Sequence, residues 1–169
     1  MKTIKNAKKS VMEIAQILAR NERLLKLLLL DTPDLSGEIT DGQKSVEYLL
    51  SNNYISIYPI VDNGIKDTTR NTYISILLDD IYFSDDGANT KVSGTIYITT
   101  DLDHCLLKGG ANRMLEGVDQ ICQTLDGQKI STAGKITITS ASLVVVDVFR
   151  AAYAISFNNF DQTSERAAI

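Results

Sequence analysis

The sequence predicts an α+β fold: a largely antiparallel sheet of about four to five strands, with a long N-terminal helix and a second helix, at about 110–126, packed on one face. Three observations predict it. First, between Gly109 and Phe157 a helical pattern passes directly into strand patterns. Ala111, Met114, Leu115, Val118, Ile121, Cys122 and Leu125 recur at the three- and four-residue steps of an apolar stripe. Asn112, Arg113, Glu116, Asp119 and Gln123 fall on the other, exposed face. After Asp126-Gly127, whose glycine suits the left-handed turn that ends helices, the period changes from 3.6 to 2. Second, residues 72–78 and 92–100 alternate as strands do, with Ile74, Ile76 and Leu78, then Ile96 and Ile98, on one side. Third, Ile4, Ala7, Val11, Ile14 and Leu18 form a helical stripe that Leu25 and Leu28 continue after a polar interruption at Asn21.

Taken in order, the N-terminal stripe reads as one long helix, or as two with a break near Asn21-Glu22. Residues 24–30 are apolar nearly all round, so this end packs on more than one side. Thr32-Pro33-Asp34 stops the helix, because proline disfavours helical geometry in its predecessor and lacks the amide donor. A polar link leads to a short amphipathic helix at 45–51, ended by Asn52-Asn53. Tyr54, Ile55, Ile57, Tyr58, Ile60 and Val61 are strand formers, but Pro59 confines them to an edge strand or an extended connector. Residues 62–71 read as a surface loop. The strands at 72–78 and 92–100 form a hairpin with a polar tip, 84–91. Ile136 and Ile138 begin the last pair of strands, and Ala151, Tyr153, Ile155 and Phe157, with Phe149 before them, line one face of the final one. Val144-Val145-Val146 between them suits a turn or bulge region, or a strand buried on both faces. A chain of 169 residues, 44% of them hydrophobic, supports one core, so the expected organisation is a single domain over 1–157 and a polar tail over 158–169. That tail is expected to be mobile unless a partner orders it.

Chemistry is sparse. The lone histidine lies in Asp101-Leu102-Asp103-His104-Cys105, where a zinc site would need about four ligands, and the chain has one His and two separated Cys. Cys122 falls on the helical stripe and reads as a buried thiol. Asp79-Asp80 and Asp85-Asp86 lack the spacing of an EF-hand, and Gly109-Gly110 has neither the Walker spacing nor its Lys-Ser/Thr. No G-x-S-x-G is present. The expectation is therefore a non-enzyme without metal or cofactor. The longest apolar run, 24–30, is broken by Lys26 and far too short to span a bilayer, and no leader pattern is visible, so a soluble protein made in the cytoplasm is expected.

Charge is distributed unevenly. Residues 1–30 carry seven Lys or Arg against two Glu, while 31–169 carry ten basic and nineteen acidic groups. A basic helix beside an acidic body reads as a solvated face, or as one half of a contact between subunits, or as a DNA-binding helix; the acidic body argues against the last. Opposite charge at separate ends suits a head-to-tail contact between identical chains. The candidate contact residues are Lys5, Lys8, Lys9, Arg20 and Arg23 on the helix, and Asp85, Asp86, Asn89 and Lys91 at the hairpin tip.

Several runs carry a resemblance: Leu107-Lys108-Gly109-Gly110-Ala111-Asn112-Arg113-Met114, Val118-Asp119-Gln120-Ile121, Leu125-Asp126-Gly127-Gln128-Lys129 and Gly134-Lys135-Ile136-Thr137-Ile138, with Phe149 to Phe157 as a closing strand. Upstream, Glu22-Arg23-Leu24-Leu25-Lys26-Leu27-Leu28, Ile57-Tyr58-Pro59 and Tyr73-Ile74-Ser75-Ile76 belong to the same pattern. Together they resemble the tail-terminator and neck, or head-tail joining, proteins of tailed bacteriophages. The resemblance implies a structural virion protein at the head-tail junction, assembled in the host cytoplasm. It would form a homo-oligomeric ring, usually of six subunits, that caps the tail tube and joins it to the head connector. Implied partners are tail tube protein, neck and connector proteins, and sheath protein if the tail is contractile. DNA would pass through without specific binding, as an acidic body favours. Other readings stay open: a head-completion adaptor, a tail-tube relative, or a cytosolic module that binds a small ligand between helix and sheet near Cys105 and Cys122.

Overall fold

The N-terminal stripe folds as two helices, α1 (Lys5–Leu18) and α2 (Glu22–Leu29), in a computed structural model that describes residues 5–58, 71–83, 90–131 and 134–159. Asn21 makes the break. Its backbone is extended (φ −83°, ψ 102°) and its Oδ1 accepts the Leu24 amide at 2.9 Å, the bond of a helix N-cap. Its Nδ2 donates to Thr124 Oγ1 at 2.6 Å and to Gln120 Oε1 at 3.1 Å. One polar residue therefore sets the elbow and also docks it on the helix that carries Gln120 and Thr124. The apolar stripe is buried along both halves, with Ala7, Val11, Ile14, Ala15 and Leu18 on α1 and Leu24, Leu25, Leu27 and Leu28 on α2. At roughly 1.5–3 kcal/mol for each fully buried aliphatic side chain, this seam is a large share of the driving force for folding.

A short helix α3 (Val46–Ser51), capped by the Ser45 side chain on the Tyr48 amide, leads to β1 (Ile55–Ser56). There follow β2 (Thr72–Phe83), β3 (Thr90–Asp101), a 3-10 turn (Leu102–His104), α4 (Arg113–Leu125), β4 (Lys129–Ile130), β5 (Gly134–Lys135), β6 (Thr137–Val145) and β7 (Arg150–Asn158). The main sheet has the order β1-β2-β3-β7-β6, and β4 and β5 make a separate two-stranded sheet. β1 runs parallel to β2 through Ile55 and Ser56; every other pair in the main sheet is antiparallel. The architecture is the expected α+β arrangement, with the edge strand limited to two residues. Pro59, Asp85, Asp86, Asn89 and the tail from 160 onward lie outside the described residues.

Strand alternation sorts the sheet into two faces. Ile74, Ile76, Ile96, Ile98, Ile155 and Phe157 belong to the core shared with α1, α2 and α4. α4 approaches so closely that a Cβ at Gly117 would stand 2.1 Å from Ile98 Cδ1. At Gly94 the space is filled instead by the Phe157 ring and the Leu77 carbonyl, 2.7 Å and 2.3 Å from where a Cβ would be. The opposite face carries Tyr73, Ser75, Tyr97, Thr99, Ala152 and Ala154, and among the described residues no helix covers it. Past the helix, Gly127 takes φ 81° and its amide bonds the Ile136 carbonyl, which turns the chain back to the sheet as expected.

Two expectations are corrected. α4 is rotated about its axis: its buried residues are Arg113, Met114, Gly117, Ile121 and Leu125, while Leu115 is half exposed. Arg113, read from the sequence as solvent-facing, is 1% exposed. The rotation follows from Gly117, whose missing side chain lets the helix sit against Ile98, and from the bonding of Arg113 described below. The run Leu143 to Val146 is neither a turn or bulge region nor a strand buried on both faces: Leu143 to Val145 close β6, the outer strand, whose register shift lies earlier, between Ile138 and Ser140, and Val145 is 77% exposed.

Candidate interaction surfaces

The basic residues of the N-terminal segment do not form one patch. Lys5, Lys8 and Lys9 are exposed on the first turns of α1, and Lys9 Nζ stands 3.9 Å from Glu13. Arg20 is exposed in the turn before α2. Arg23 Nε lies 3.0 Å from Glu116 Oε1 of α4, an exposed pair of the kind that contributes about 0–1 kcal/mol. Lys91 is half-buried near the start of β3. Asp79 and Asp80, in a bulge of β2, are tied to their own sheet: Thr95 Oγ1 donates to Asp79 at 2.7 Å and Ser93 Oγ to Asp80 at 3.3 Å. Among the described residues, no three His, Cys, Asp or Glu side chains come together as a metal site, and no helix is long and apolar enough to cross a membrane.

Sequence reasoning missed a heavily bonded buried side chain. The Arg113 guanidinium donates to the carbonyls of Leu30 at 2.7 Å, Leu27 at 2.8 Å, His104 at 2.9 Å and Thr32 at 3.2 Å, with Asp31 at 3.5 Å. The last carbonyls of a helix have no intrahelical donors and carry its negative dipole end, so a buried cation there meets both needs. Burial draws the guanidinium's pKa down, opposed by the charge of Asp31, and arginine stays charged at neutral pH. Nearby, burial raises the Cys105 thiol, with Arg113 opposing the rise; burial also raises Cys122. This cluster joins α2, α4 and the 3-10 turn and has the character of a structural knot.

Among the described residues, the two edges of the sheet have no strand on their outer side. On one side, β6 contains no charged residue and ends in exposed apolar side chains: Leu143 57%, Val145 77%, then Val148 81% and Phe149 48% beyond the turn. That turn is rigidly built. Arg150, 2% exposed, donates to Asp147 Oδ2 through Nη2 at 2.5 Å and through Nε at 3.1 Å, and Asp147 Oδ1 accepts the Phe149 amide at 2.8 Å. On the other side, β1 pairs with β2 only at Ile74 and Ser75; further along, β2 has no partner on its outer edge among the described residues. There a groove of about 760 Å³ opens between α1, β2 and the Ile57-Tyr58 stretch that follows β1, with Val11, Met12, Ile76 and Ile81 also in its walls. It is not near Cys105 and Cys122, where the small-ligand reading would place a pocket; a smaller hollow of about 240 Å³ lies on the other face of the sheet, over Tyr73, Ser75 and Tyr97.

A family model, YomW, matches residues 21–158, most of the described fold from the Asn21 cap to the end of β7. The chain belongs to the YomW family. YomW is a phage-derived family named after a gene of the Bacillus phage SPbeta region, so the chain is of phage-related origin. No curated protein matches it. The match starts after α1, so that helix, which walls the apolar groove, lies outside the shared region.

Proposed function

We propose that this YomW-family chain is a structural virion protein of a tailed phage, a tail terminator that forms a ring at the head-tail junction, caps the tail tube and joins it to the neck. The observation that carries the reading is membership of a phage-derived family together with a sheet whose two edges, among the described residues, have no outer partner. A protein with two different adhesive edges makes head-to-tail contacts, and such contacts close into rings when the rotation permits. The ring is a homo-oligomer, expected to have six subunits, and its partners are tail tube, neck and connector proteins, with sheath protein if the tail contracts. DNA passes through it without specific binding, consistent with a net charge of −4.

The test is assembly of the same phage's tail-tube protein in the presence of this chain. Electron microscopy should show tubes of limited length with a ring at one end; tubes of unchanged length with bare ends would reject the terminator role. The alternative within the same class, a head-completion adaptor or tail-tube relative, would instead bind connector rings or co-polymerise along the tube. A small-ligand-binding module is favoured by one observation, the apolar groove between α1 and β2, and would be recognised by a small molecule that co-purifies with the protein.

A further inference from the structure

We infer that the end of β6, from Ser140 through Val146, pairs antiparallel with the same stretch of a second copy of this chain, across a two-fold axis at Leu143. The inference concerns the free chain and does not rest on the ring reading. Because the pair occupies one sheet edge, ring assembly would have to open it.

The outer side of this stretch is open. β7 takes the inner side of β6 in a ladder that runs from Thr137 to Val145, and the Val146 amide still bonds the Arg150 carbonyl at 3.2 Å. Every residue from Ser140 to Val146 is exposed, on both faces of the strand alike. On the helical side Leu143 is 57% and Val145 77% exposed; on the other, Val144 is 37% and Val146 46% exposed. A strand laid alongside would cover these side chains on both faces, so their exposure marks the edge as free.

Two features limit where pairing can run. The register of β6 against β7 shifts between Ile138 and Ser140, and such a bulge bends the strand and interrupts a regular ladder. At the other end Asp147 is turned into its own chain: Oδ2 accepts Arg150 Nη2 at 2.5 Å and Nε at 3.1 Å, and Oδ1 accepts the Phe149 amide at 2.8 Å. Between these limits lie Ser140 to Val146, longer than the roughly five or six residues of a common strand. The stretch holds no charge and no proline, so it lacks the protection that the bulge gives the first part of the same edge. Its midpoint is Leu143.

The order of side chains favours a second copy as the occupant. The stretch reads Ser140-Ala141-Ser142-Leu143-Val144-Val145-Val146: small residues, then a leucine, then valines. An antiparallel copy reverses that order, so each valine meets a small residue. Val145 falls opposite Ala141 on the helical side, Val144 opposite Ser142 and Val146 opposite Ser140 on the other, and Leu143 meets its own counterpart at the axis. Each pair joins residues of the same face, as antiparallel register requires. A charge near the axis would face a like charge and oppose pairing, and the stretch has none. Pairing satisfies the outer amides and carbonyls of both strands at once. The contact uses the same patch on both subunits, so it closes at two copies.

The experiment uses the full chain, free of other proteins, in sedimentation equilibrium and thiol cross-linking. Wild type should form a two-copy species. Leu143→Lys and Leu143→Glu, at a position 57% exposed in the single copy, should each keep the circular dichroism of the wild type and weaken pairing at least 10-fold, because like charges meet at the axis. Mixing the two variants should restore the pair, since opposite charges then meet there. With a short bismaleimide, Leu143→Cys should give covalent pairs and nothing larger. Glu47→Cys, exposed on α3, should give none above the background of the two native thiols. A wild-type chain that is monomeric at every concentration would overturn the inference. So would a two-copy species that tolerates both charged variants, or one that Glu47→Cys cross-links as readily. Rings on tail tubes built by a chain that shows no free pair would overturn it and leave the ring reading standing, whereas a free pair that never caps tubes would support it while the ring reading fails.

Discussion

Replacing Arg113 with methionine tests how the helical layer is held together. The substitution keeps an unbranched apolar stem and removes a guanidinium that serves four carbonyls within 3.2 Å. The Leu27 carbonyl is buried, so losing its donor costs about 1–3 kcal/mol, the desolvation penalty of an unsatisfied polar group. The carbonyls of Leu30, Thr32 and His104 are only partly buried and can take up water, so each contributes a fraction of that amount. A total near 3 kcal/mol follows, which for a chain of this length lowers Tm by roughly 6–12 °C. Equilibrium urea unfolding, followed by circular dichroism, measures it. Arg113→Lys should lie between wild type and Arg113→Met, because one ammonium cannot reach carbonyls spread over α2 and the 3-10 turn. A loss below about 1 kcal/mol for Arg113→Met would refute the reasoning and mean that the bonds are readily replaced by water.

Asn21→Ala removes the N-cap of α2 and two bonds to α4, and should destabilise by about 1–2 kcal/mol in the same urea assay. Gly94→Ala should be more damaging than Gly117→Ala, because the first meets a backbone carbonyl at 2.3 Å while the second meets the terminal methyl of Ile98, which can rotate away; the order of their unfolding midpoints checks this. Arg23→Ala should change stability by less than about 1 kcal/mol, since its partner Glu116 is an exposed ion pair. The folded Cys122 thiol titrates above 9.0, so the stability it contributes is present in full below that pH and is lost as pH rises through the folded value. The stability difference between wild type and Cys122→Ala should accordingly be constant from pH 7 to 8.5 and shrink toward pH 10.5.

Much of the architecture could be read from the residues. The periods of 3.6 and 2 located α4, β2, β3 and β7, and the polar break at Asn21 marked the elbow, although choosing between one helix and two needed the bonds to Gln120 and Thr124. What could not be read was orientation. Arg113 looked solvent-exposed because a charge at a helix start normally is, and apart from His104 the carbonyls that receive it belong to residues more than eighty positions away. Leu115 sat on the apolar stripe by spacing, but the missing side chain at Gly117 turned the helix by drawing it onto Ile98. Val144-Val145-Val146 was ambiguous because an apolar run gives no sign of whether a strand lies in the middle of a sheet or at its edge. The candidate surfaces were legible only as charge, at Lys5, Lys8, Lys9, Arg20 and Arg23, whereas which strands are outermost shows only in the strand order. Asp85, Asp86 and Asn89, named from the sequence as contact candidates, fall outside the described residues.

The ring is the claim on which the functional reading turns, and the mass of the purified full-length chain tests it most directly. Multi-angle light scattering over a range of concentrations should give one discrete species near six times the 18.6 kDa of the chain, either alone or on addition of tail-tube protein. A single species at 18.6 kDa under both conditions would contradict the account.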